Sequence, residues 1–557
     1  MKLKRKLPLL LLFSLILGAT LRLWHLGSYP AGFTWDEAAI GYNAYSILKT
    51  ARDEHGAFLP ITFKSFGDYK PGLYIYLAVP SVAIFGLSHF ATRLPSALFG
   101  IAGIYVIYLL GNLLFKKSFK PLRGKVTVGE ISAFILAVSP WHVHFSHGAW
   151  ETNVFSVILL FSIYSYLKSL KDDRYLLAWV IPSILTLVTY QAAKMLTPLI
   201  FLSLFALTWK DFWPKLLSWF KKSTTRTLLI IAVISIVYIF LQNILGPAGN
   251  RLTRLSVFNY RPPVSEEIKQ IDSNNPLTLK LFHGQTQLTT KMIASRYLNH
   301  FSPEVLFYQD AVVCARGHIP RLGMLHYFEA GLLFVGMFAF FQVKNKRSRN
   351  ILISLLFLAP LPASLTLAEY STVRALFLVM PFSLLLSLGI SWLLSQKFFY
   401  SLPLVSLYLF NIFFSFDVYF NHSNHVFARE FQHGYQSVME QIQILPSKKT
   451  IITDVFGQPY IFYLFYTRFD PAEYQQMDAY VDQGIDVGRV YRIDQVEFRQ
   501  FNDDDVMQEP DTWFIGSRGN ISDEFDYNVD QVEYSSEIKV SNPEEVIFRI
   551  VKTKAND

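Results

Sequence analysis

Two adjacent carboxylates, Asp36 and Glu37, follow the first apolar segment of the chain. A carboxylate in this position can accept a proton from a hydroxyl group, bind a metal ion or pair with a cation. Carboxylates at a membrane boundary cost free energy unless another group holds or uses them, so they indicate a functional site. The alternative interpretation is structural: the pair would begin a surface helix, whose N-terminus favours negative charge.

The composition around these residues is that of a membrane protein. Of 557 residues, 52% are hydrophobic and 17% are charged, whereas soluble proteins carry about 25% charged residues. Long apolar segments recur to about residue 417, which predicts a mainly α, polytopic transmembrane helical domain. The only cysteine, Cys314, excludes an intramolecular disulfide and a cysteine-based zinc site.

The net charge of +9 is divided unevenly along the chain. Residues 428–557 hold 12 Lys and Arg and 24 Asp and Glu, a net charge of −12, which leaves +21 on residues 1–427. We therefore predict a transmembrane domain at 1–427 and a small soluble α/β domain at 428–557, with strands near 450–455, 513–516 and 546–551. Neither charge requires nucleic-acid binding.

The Lys- and Arg-rich loops predict the orientation of the chain. Placing them in the cytoplasm gives about eleven spans, a cytoplasmic N-terminus and an extracytoplasmic 428–557 domain in a multi-pass protein of a plasma membrane. The lack of disulfides and the short loops suit a bacterial membrane. Pro80 interrupts the apolar segment 72–90, which we expect on the outer face. The predicted spans are near 7–26, 93–115, 127–145, 153–168, 175–191, 196–210, 228–245, 325–343, 350–367, 373–395 and 398–417.

This orientation gathers polar residues on the outer face, in the first loop at 27–92, the long loop at 246–324 and shorter turns. Arginines on the outer face run against the usual enrichment of Lys and Arg in cytoplasmic loops. We infer that an anionic ligand accounts for several of these arginines, although each alone is an ordinary interfacial anchor. The candidate residues are Asp68, Tyr69, Lys70, Arg93, Glu151, Arg251, Arg254 and Arg374.

Five short motifs occur in a defined order: Phe33-Thr-Trp-Asp-Glu-Ala38, Asp68-Tyr-Lys-Pro-Gly-Leu73, Ala91-Thr-Arg-Leu-Pro-Ser-Ala-Leu-Phe-Gly100, Ser139-Pro140 followed by Ser146 and Glu151, and Arg374-Ala-Leu. Together they resemble bacterial relatives of the protein O-mannosyltransferases and the lipid A aminoarabinose transferases, which are polyprenyl-phosphate-sugar-dependent glycosyltransferases of the GT-C fold. The resemblance covers roughly the first 420 residues and is most specific in the first 150.

The resemblance implies an integral membrane glycosyltransferase that moves a hexose or pentose from a polyprenyl-phosphate donor to a hydroxyl group outside the cytoplasm, with inversion. The acceptor would be a protein, a glycolipid or a polysaccharide. The resemblance also implies that Asp36 acts on the acceptor and that Lys70 lies near the lipid phosphate. Gly72 replaces the second proline of the usual motif. Ala39 stands where some relatives carry an arginine, so the phosphate contacts of that arginine would come from elsewhere.

Within this interpretation Asp36 is the expected base, because Trp35 and apolar neighbours should partly desolvate its carboxyl group and raise its pKa. Glu37 points about 100° away on a helix and would orient substrate, bind a metal or cap the loop. Substrate-binding candidates are Lys70, Tyr69, Arg93, Glu151, Arg251, Arg254 and Arg374. No cofactor is required, but a divalent metal ion is left open, with Asp68 as a candidate ligand.

Two other functional classes compete with this interpretation. One is a transporter or flippase for a lipid-linked sugar, which would place its polar groups near the bilayer midplane in paired repeats. The polar groups here cluster at one face and no repeat is visible, which favours an enzyme. The other is a sensor or scaffold whose acidic 428–557 domain binds a partner.

Overall fold

The computed structural model describes residues 7–116, 126–245, 256–258, 260, 264, 268, 270, 276–308, 316–396, 401–444, 447–477, 479–481, 488–541 and 544–555. Its helices are α1 (Leu9–Leu23), α2 (Trp35–Thr50), α3 (Leu73–Phe85), α4 (His89–Phe115), α5 (Val128–Val138), α6 (Pro140–Ser146), α7 (Glu151–Ser169), α8 (Leu176–Leu187), α9 (Ala193–Leu207), α10 (Trp209–Lys221), α11 (Ser223–Leu245), α12 (Pro276–Phe282), α13 (Gln285–Asn299), α14 (Glu329–Gln342), α15 (Lys346–Leu358), α16 (Leu361–Ser364), α17 (Val379–Ser395), α18 (Ser401–Asp417), α19 (Ser423–Val426), α20 (Tyr435–Gln441), α21 (Pro459–Thr467), α22 (Pro471–Tyr474) and α23 (Asp503–Gln508). Short 3₁₀ or π turns lie at Asp173–Tyr175, Glu304–Tyr308, Leu376–Leu378 and Val418–His422.

The strands, in chain order, are β1 (Thr62–Ser65), β2 (Asp68–Pro71), β3 (Lys449–Ile452), β4 (Tyr480–Val481), β5 (Arg489–Val490), β6 (Arg492–Ile493), β7 (Val496–Phe498), β8 (Thr512–Gly516), β9 (Val532–Ser541) and β10 (Glu544–Thr553). The three strands predicted in the acidic region are present as β3, β8 and β10. The chain is therefore mainly helical, with its largest sheet near the C-terminal end.

Among the described residues, three helical segments are long and apolar enough to cross a membrane: His89–Phe115, Ser223–Gln242 and Leu376–Ser395. Helices α9 and α10, which meet at an angle of 103°, would form a fourth if they are one broken span. A described helix overlaps each of the eleven predicted spans, but several of these helices are shorter than the about 17 residues that a full crossing needs. The count of eleven spans therefore stays a prediction.

One compact unit, the helical unit, consists of Met1–Arg22, Ser96–Ser146 and Trp150–Phe416. Its apolar core is built from helices such as α5, α7 and α17, whose residues are almost all buried. Pro140 ends α5, because the residue before a proline disfavours helical geometry. The buried Arg22 guanidinium then binds the free carbonyl groups of Leu136 and Ala137 at distances of 2.9 and 3.0 Å, which satisfies the C-terminal end of α5.

The second compact unit, the mixed unit, consists of Leu23–Pro95, His147–Ala149 and Asp417–Asp557. Its six-stranded sheet has the order β6-β7-β3-β8-β10-β9. Strand β3 runs parallel to β7 and β8, and the other pairs are antiparallel. Its core includes Ile451, Phe514 and Val551. The first predicted outer loop thus belongs to the same compact unit as the acidic region. The change in net charge at residue 427 does not coincide with the division between the two units.

Candidate functional site

The N-terminal end of α2 positions the two adjacent carboxylates, and both hydrogen bonds of a capping box are present there. The Thr34 hydroxyl accepts a hydrogen bond from the Glu37 backbone N–H at 3.3 Å, and the Glu37 carboxylate accepts one from the Thr34 N–H at 3.1 Å. This reciprocal pair begins the helix at Trp35 and fixes the entry of the chain. Thr34 is therefore the cap of the helix and Glu37 its partner in the capping box, and Asp36 lies on the same first turn.

Glu37 is buried against Arg93, which lies one turn into α4. The Arg93 Nε donates to Glu37 Oε1 at 2.8 Å, and the Ala149 N–H donates to the same oxygen at 3.0 Å. Burial opposes ionisation of Glu37, but the charge and hydrogen bonds of Arg93, with the N–H groups of Thr34 and Ala149, outweigh burial and lower its pKa. Both Glu37 oxygens are thus occupied, so Glu37 is a positioning residue rather than a group that exchanges protons with substrate.

Arg93 was expected to bind phosphate, and the structure gives it a different role. Its side chain is fully buried. Besides Glu37, its guanidinium donates to four backbone carbonyl groups, those of Leu26, Tyr29, Pro30 and Gly32. A guanidinium has five N–H groups, and these contacts engage all three of its nitrogen atoms. Arg93 therefore holds the segment before α2 in place. In the described structure these contacts leave it no N–H group for a ligand.

Lys70 reaches the site from a β-hairpin in which β1 pairs antiparallel with β2. The turn between them is Phe66-Gly67, with φ angles of 55° and 90°, the positive values of the two-residue turns that suit hairpin twist. Lys70 forms an ion pair with Asp36, and its ammonium lies 5.3 Å from the centre of the Phe66 ring. The hairpin thus brings a cation directly to the expected base.

The Asp36 side chain is only partly shielded from water, and the raised pKa expected for it stays a prediction. Its side chain is 47% exposed, whereas that of Lys70 is 16% exposed. The Trp35 ring lies against Gly457 of the same unit, and Glu37, next to Asp36, is buried. The Asp36 carboxylate is therefore partly accessible to solvent and lies beside the Lys70 ammonium.

Gly72 stands where the related motif has a second proline, and its surroundings give the reason. A side-chain carbon on Gly72 would overlap the Phe63 ring and the Ile61 carbonyl oxygen. The Gly72 N–H also donates to that oxygen at 3.0 Å, a bond that proline cannot make. Gly72 thus follows the hairpin that carries Lys70 and makes a backbone hydrogen bond, in place of the rigidity that a proline would supply.

The C-terminal region supplies two residues that hold Trp35 and that sequence reasoning missed. The Gln432 side-chain oxygen accepts a hydrogen bond from the Trp35 N–H at 2.8 Å. Gly457, with a φ of 112°, lies so close to the Trp35 ring that a side-chain carbon would overlap it. The glycine predicts a turn after β3, but nothing in the sequence connects it to a tryptophan more than 400 residues away.

We predict that Gly457→Ala reduces both stability and activity, because the methyl group must displace Trp35 and with it the first turn of α2. Gly56→Ala is a matched control, since Gly56 has a similar φ of 87° and nothing within 4 Å of the added carbon. Overlap in a packed core costs about 1–3 kcal/mol. The thermal unfolding temperature should therefore fall by several degrees more for Gly457→Ala than for Gly56→Ala. Equal losses would show that only backbone strain matters.

The other predicted site residues are distributed between the two units. Tyr69 lies on β2 opposite Lys64, and Asp68 begins the same strand. Glu151 is the first residue of α7, and Arg374 donates to the Thr366 hydroxyl at 3.3 Å, both in the helical unit. Arg251 and Arg254 lie outside the described residues. Within the described part of the chain, no group of three or more His, Cys, Asp or Glu side chains is placed to hold a metal ion.

A buried carboxylate that the sequence analysis did not single out, Glu54, lies beyond the C-terminal end of α2. Asn43 on α2 binds it twice: the Asn43 amide donates to Glu54 Oε1 at 3.1 Å, and the Glu54 N–H donates to the Asn43 oxygen at 3.0 Å. Burial, reinforced by the charge of Asp53, raises the pKa of Glu54 to about 8 despite the Asn43 hydrogen bond and nearby lysines. Burial lowers the pKa of the adjacent His55 to about 4.

We predict that Glu54 makes stability fall as the pH rises. The pKa of Glu54 is higher in the folded protein than the ordinary 4.5, so its contribution is complete below pH 4.5 and is lost as the pH rises to about 8. His55 acts oppositely, losing stability as the pH falls from 6.5 toward 4. Between pH 6.5 and 8, Glu54→Gln should become more stable relative to wild type, by on the order of 1 kcal/mol per pH unit. Parallel stability curves for the two proteins would contradict this.

Comparisons with known proteins give one family and several solved structures. Residues 69–240, less than half of the chain, match the family described as dolichyl-phosphate-mannose-protein mannosyltransferase. This segment includes Lys70 but begins after Asp36. No curated protein sequence matches the chain.

The structure of ArnT from Cupriavidus metallidurans bound to undecaprenyl phosphate is similar over 97% of each chain, with 12% identity and a TM-score of 0.53. AglB, the archaeal oligosaccharyltransferase from Archaeoglobus fulgidus, matches 82% of this chain and 63% of its own, with 13% identity and a TM-score of 0.44. Arabinofuranosyltransferase AftD from Mycobacteria matches 98% of this chain and 40% of its own, with 10% identity and a TM-score of 0.40. The similarity to ArnT concerns the fold alone.

Proposed function

We propose that this chain, whose fold is similar to that of ArnT, is a membrane glycosyltransferase that transfers a sugar from a polyprenyl-phosphate donor to a hydroxyl acceptor. The observation that carries the proposal is the ion pair between Asp36 and Lys70 at the first turn of α2. It joins, in one place, a group that can accept a proton and a group that can hold a phosphate.

In the proposed reaction the acceptor oxygen attacks the anomeric carbon of the donor sugar, and Asp36 takes the proton from that oxygen. The bond between the anomeric carbon and the phosphate oxygen breaks, and polyprenyl phosphate leaves with the electron pair. A single displacement of this kind inverts the anomeric configuration. Lys70 neutralises the charge that develops on the leaving phosphate, so each of the two residues serves a different end of the transfer.

The ion pair also predicts the order of events. Lys70 must turn from the Asp36 carboxylate to the phosphate when the donor binds, which releases Asp36 to accept a proton. Since Asp36 is half-exposed, the acceptor hydroxyl can reach it without unfolding of the loop. Donor binding is therefore proposed to precede activation of the acceptor.

Arg93 is not included in the proposed phosphate site, because its donors are engaged elsewhere. Arg374, together with Arg251 and Arg254 outside the described residues, stays a proposed phosphate contact. A divalent metal ion also stays a proposal, and no step above depends on one. We further propose a plasma-membrane location in which the N-terminus is cytoplasmic and the sheet of the mixed unit lies outside.

The proposal is tested by incubating the purified full-length protein with a panel of polyprenyl-phosphate sugars and a membrane extract, and following each donor by mass spectrometry. Consumption of one donor with release of polyprenyl phosphate is the expected result, and it identifies the sugar. Movement of a lipid-linked sugar across reconstituted vesicles without a covalent product would favour the transporter instead.

Lys70→Gln and Lys64→Gln form a matched pair for the same assay. Both residues lie on the β1–β2 hairpin, but the Lys64 ammonium lies over the Tyr480 ring, 3.9 Å from its centre, whereas Lys70 pairs with Asp36. Loss of a charged hydrogen bond to phosphate should raise the KM for the donor about 10- to 100-fold in Lys70→Gln. Equal effects of the two substitutions would remove Lys70 from the phosphate site.

A further inference from the structure

Helix α10 lies at a sharp turn of the chain in the helical unit. It meets the apolar helix α9 at an angle of 103°, and α11, which is apolar and long enough to cross a membrane, begins two residues after α10 ends. Charged residues within α10 oppose its burial in hydrocarbon, which argues against α9 and α10 as one broken span. A charged helix between two apolar helices has the position of a helix that lies along a membrane surface.

Helix α10 has two apolar faces, and the described protein covers only one of them. Phe212 and Trp219 are buried in the core of the helical unit, and Leu216 packs against that core. The second face, the exposed row, has four large side chains that are each between 43% and 52% exposed: Trp209, Trp213, Leu217 and Phe220. Their spacing of four, four and three residues places them on one side of the helix. This side therefore presents a continuous apolar surface that awaits an occupant.

Two lysines border the exposed row, one near each end of α10. Since successive helical residues are rotated by about 100°, Lys210 and Lys221 lie along the edge of the row that is farther from the buried Phe212 and Trp219. Both lysines are exposed, and neither forms an ion pair with a residue that the structure describes. Their ammonium groups are therefore available to an anionic ligand beside the apolar surface.

The remaining side of α10 is attached to two other parts of the helical unit. The Asp173 carboxylate, in the turn before α8, lies 2.7 to 3.0 Å from side-chain nitrogen atoms of Lys215, Trp219 and Lys222. Asp211 forms an ion pair with Arg347 on the first turn of α15. These contacts fix the rotation of α10 about its own axis, so the direction in which the exposed row faces is fixed as well.

The three segments that meet at α10 carry a large excess of positive charge. Residues 168–174, 210–226 and 344–349 contain 12 Lys and Arg but only 3 Asp. Each of these aspartates, namely Asp172, Asp173 and Asp211, is already paired with a cation of the same three segments. The same segments are among the loops predicted to lie in the cytoplasm. The surface around α10 is therefore cationic and attracts an anionic surface.

We propose that α10 lies in the membrane surface with its exposed row among the acyl chains, and that Lys210 and Lys221 bind the phosphate groups of anionic phospholipids. Lysine can reach from an apolar surface to a headgroup, because its stem is apolar and its charge is at the tip. A second copy of the chain is a poorer occupant, since two such faces in contact would bring like charges together. Asp36 and Lys70 belong to the mixed unit, and the inference does not depend on the proposed function.

The proposal is tested with the full-length protein in nanodiscs of equal parts phosphatidylcholine and phosphatidylglycerol. One lipid at a time carries bromine in its acyl chains near the headgroup, where it quenches the fluorescence of nearby tryptophans. Quenching that disappears in the Trp209→Phe/Trp213→Phe double variant comes from α10, and the stacked rings of this pair lie 5.0 Å apart on the exposed row.

We expect the quenching from α10 to be about fivefold stronger with brominated phosphatidylglycerol than with brominated phosphatidylcholine, which is the preference that one lysine near a membrane surface confers. High salt should reduce this preference, because ions screen exposed charges. Equal quenching by the two lipids would overturn the assignment of an anionic lipid. The absence of quenching by either lipid would place the exposed row outside the membrane and overturn the whole proposal.

Lysine variants make the test specific to the two bordering residues. The Lys210→Gln/Lys221→Gln double variant should reduce the preference for phosphatidylglycerol to about twofold or less, since the cations next to the reporter tryptophans are gone. Arg492→Gln/Lys554→Gln is the matched control, because it removes the same charge from exposed positions of the mixed unit, and it should keep the wild-type preference. An unchanged preference in the Lys210→Gln/Lys221→Gln variant, or an equal loss in the control, would overturn the role of the two lysines.

Discussion

Replacing Asp36 by asparagine is expected to reduce sugar transfer by about 10²- to 10⁴-fold, which is the usual contribution of a general base. Asparagine keeps the shape of the side chain but cannot take the acceptor proton. The fold should be unaffected, because an exposed ion pair contributes about 0–1 kcal/mol and Asp36 is half-exposed. Asparagine is also well tolerated near the beginning of a helix.

The measurement compares initial rates of polyprenyl phosphate release by wild type and Asp36→Asn, with thermal unfolding as a check on folding. Asp417→Asn is a matched control, since Asp417 is also about half-exposed and lies 3.3 Å from His422, a possible ion-pair partner. Transfer by Asp417→Asn should equal that of wild type. Wild-type turnover by Asp36→Asn would remove Asp36 from the role of base.

Replacing Arg93 by alanine is expected to destabilise the mixed unit by about 3–5 kcal/mol, the cost of leaving one partner of a buried ion pair alone. The loss extends beyond the charge of Glu37, because the carbonyl groups of Leu26, Tyr29, Pro30 and Gly32 also lose their donor. Low yield and a strongly lowered unfolding temperature should result.

Arg374→Gln is the comparison for this stability measurement, because Arg374 is only partly buried and has a single long side-chain bond to Thr366. It should unfold at a temperature close to that of wild type. Arg93→Lys should be nearly as unstable as Arg93→Ala, since an ammonium cannot reproduce the planar fork of contacts. A folded, stable Arg93→Ala protein that had lost only donor affinity would restore Arg93 to the phosphate site.

The two carboxylates at 36 and 37 illustrate how far sequence reasoning reaches. Their position after an apolar segment was sufficient to select them, and the Thr34–Glu37 spacing is that of a capping box. The degree of burial of each does not follow from these spacings: Glu37 is buried, whereas Asp36 is partly exposed. Adjacent residues on a helix point in directions about 100° apart, so one can be covered while the other stays open, and only the position of Arg93 decides which.

For Lys70, too, the sequence predicts one part of the role and the tertiary structure decides the other. The motif placed it near phosphate, and the structure pairs it with Asp36 through a hairpin closed by Phe66 and Gly67. Glu54 had no such signal, since a carboxylate in a loop is ordinarily exposed. Its raised pKa arises from burial, with Asn43 as its hydrogen-bond partner, which depends on how the loop folds back on α2.

By itself, the sequence determined the properties that depend on composition and on short spacings: a mainly helical membrane protein, the strands β3, β8 and β10, and the identity of Asp36 and Lys70 as candidates. The tertiary structure decided which groups these candidates contact. It engaged Arg93 and Glu37 with each other and with the backbone, and it placed Gly457 against Trp35. Apolar periodicity and helix capping act over a few residues, whereas burial and hydrogen-bond partners are set by segments hundreds of residues apart.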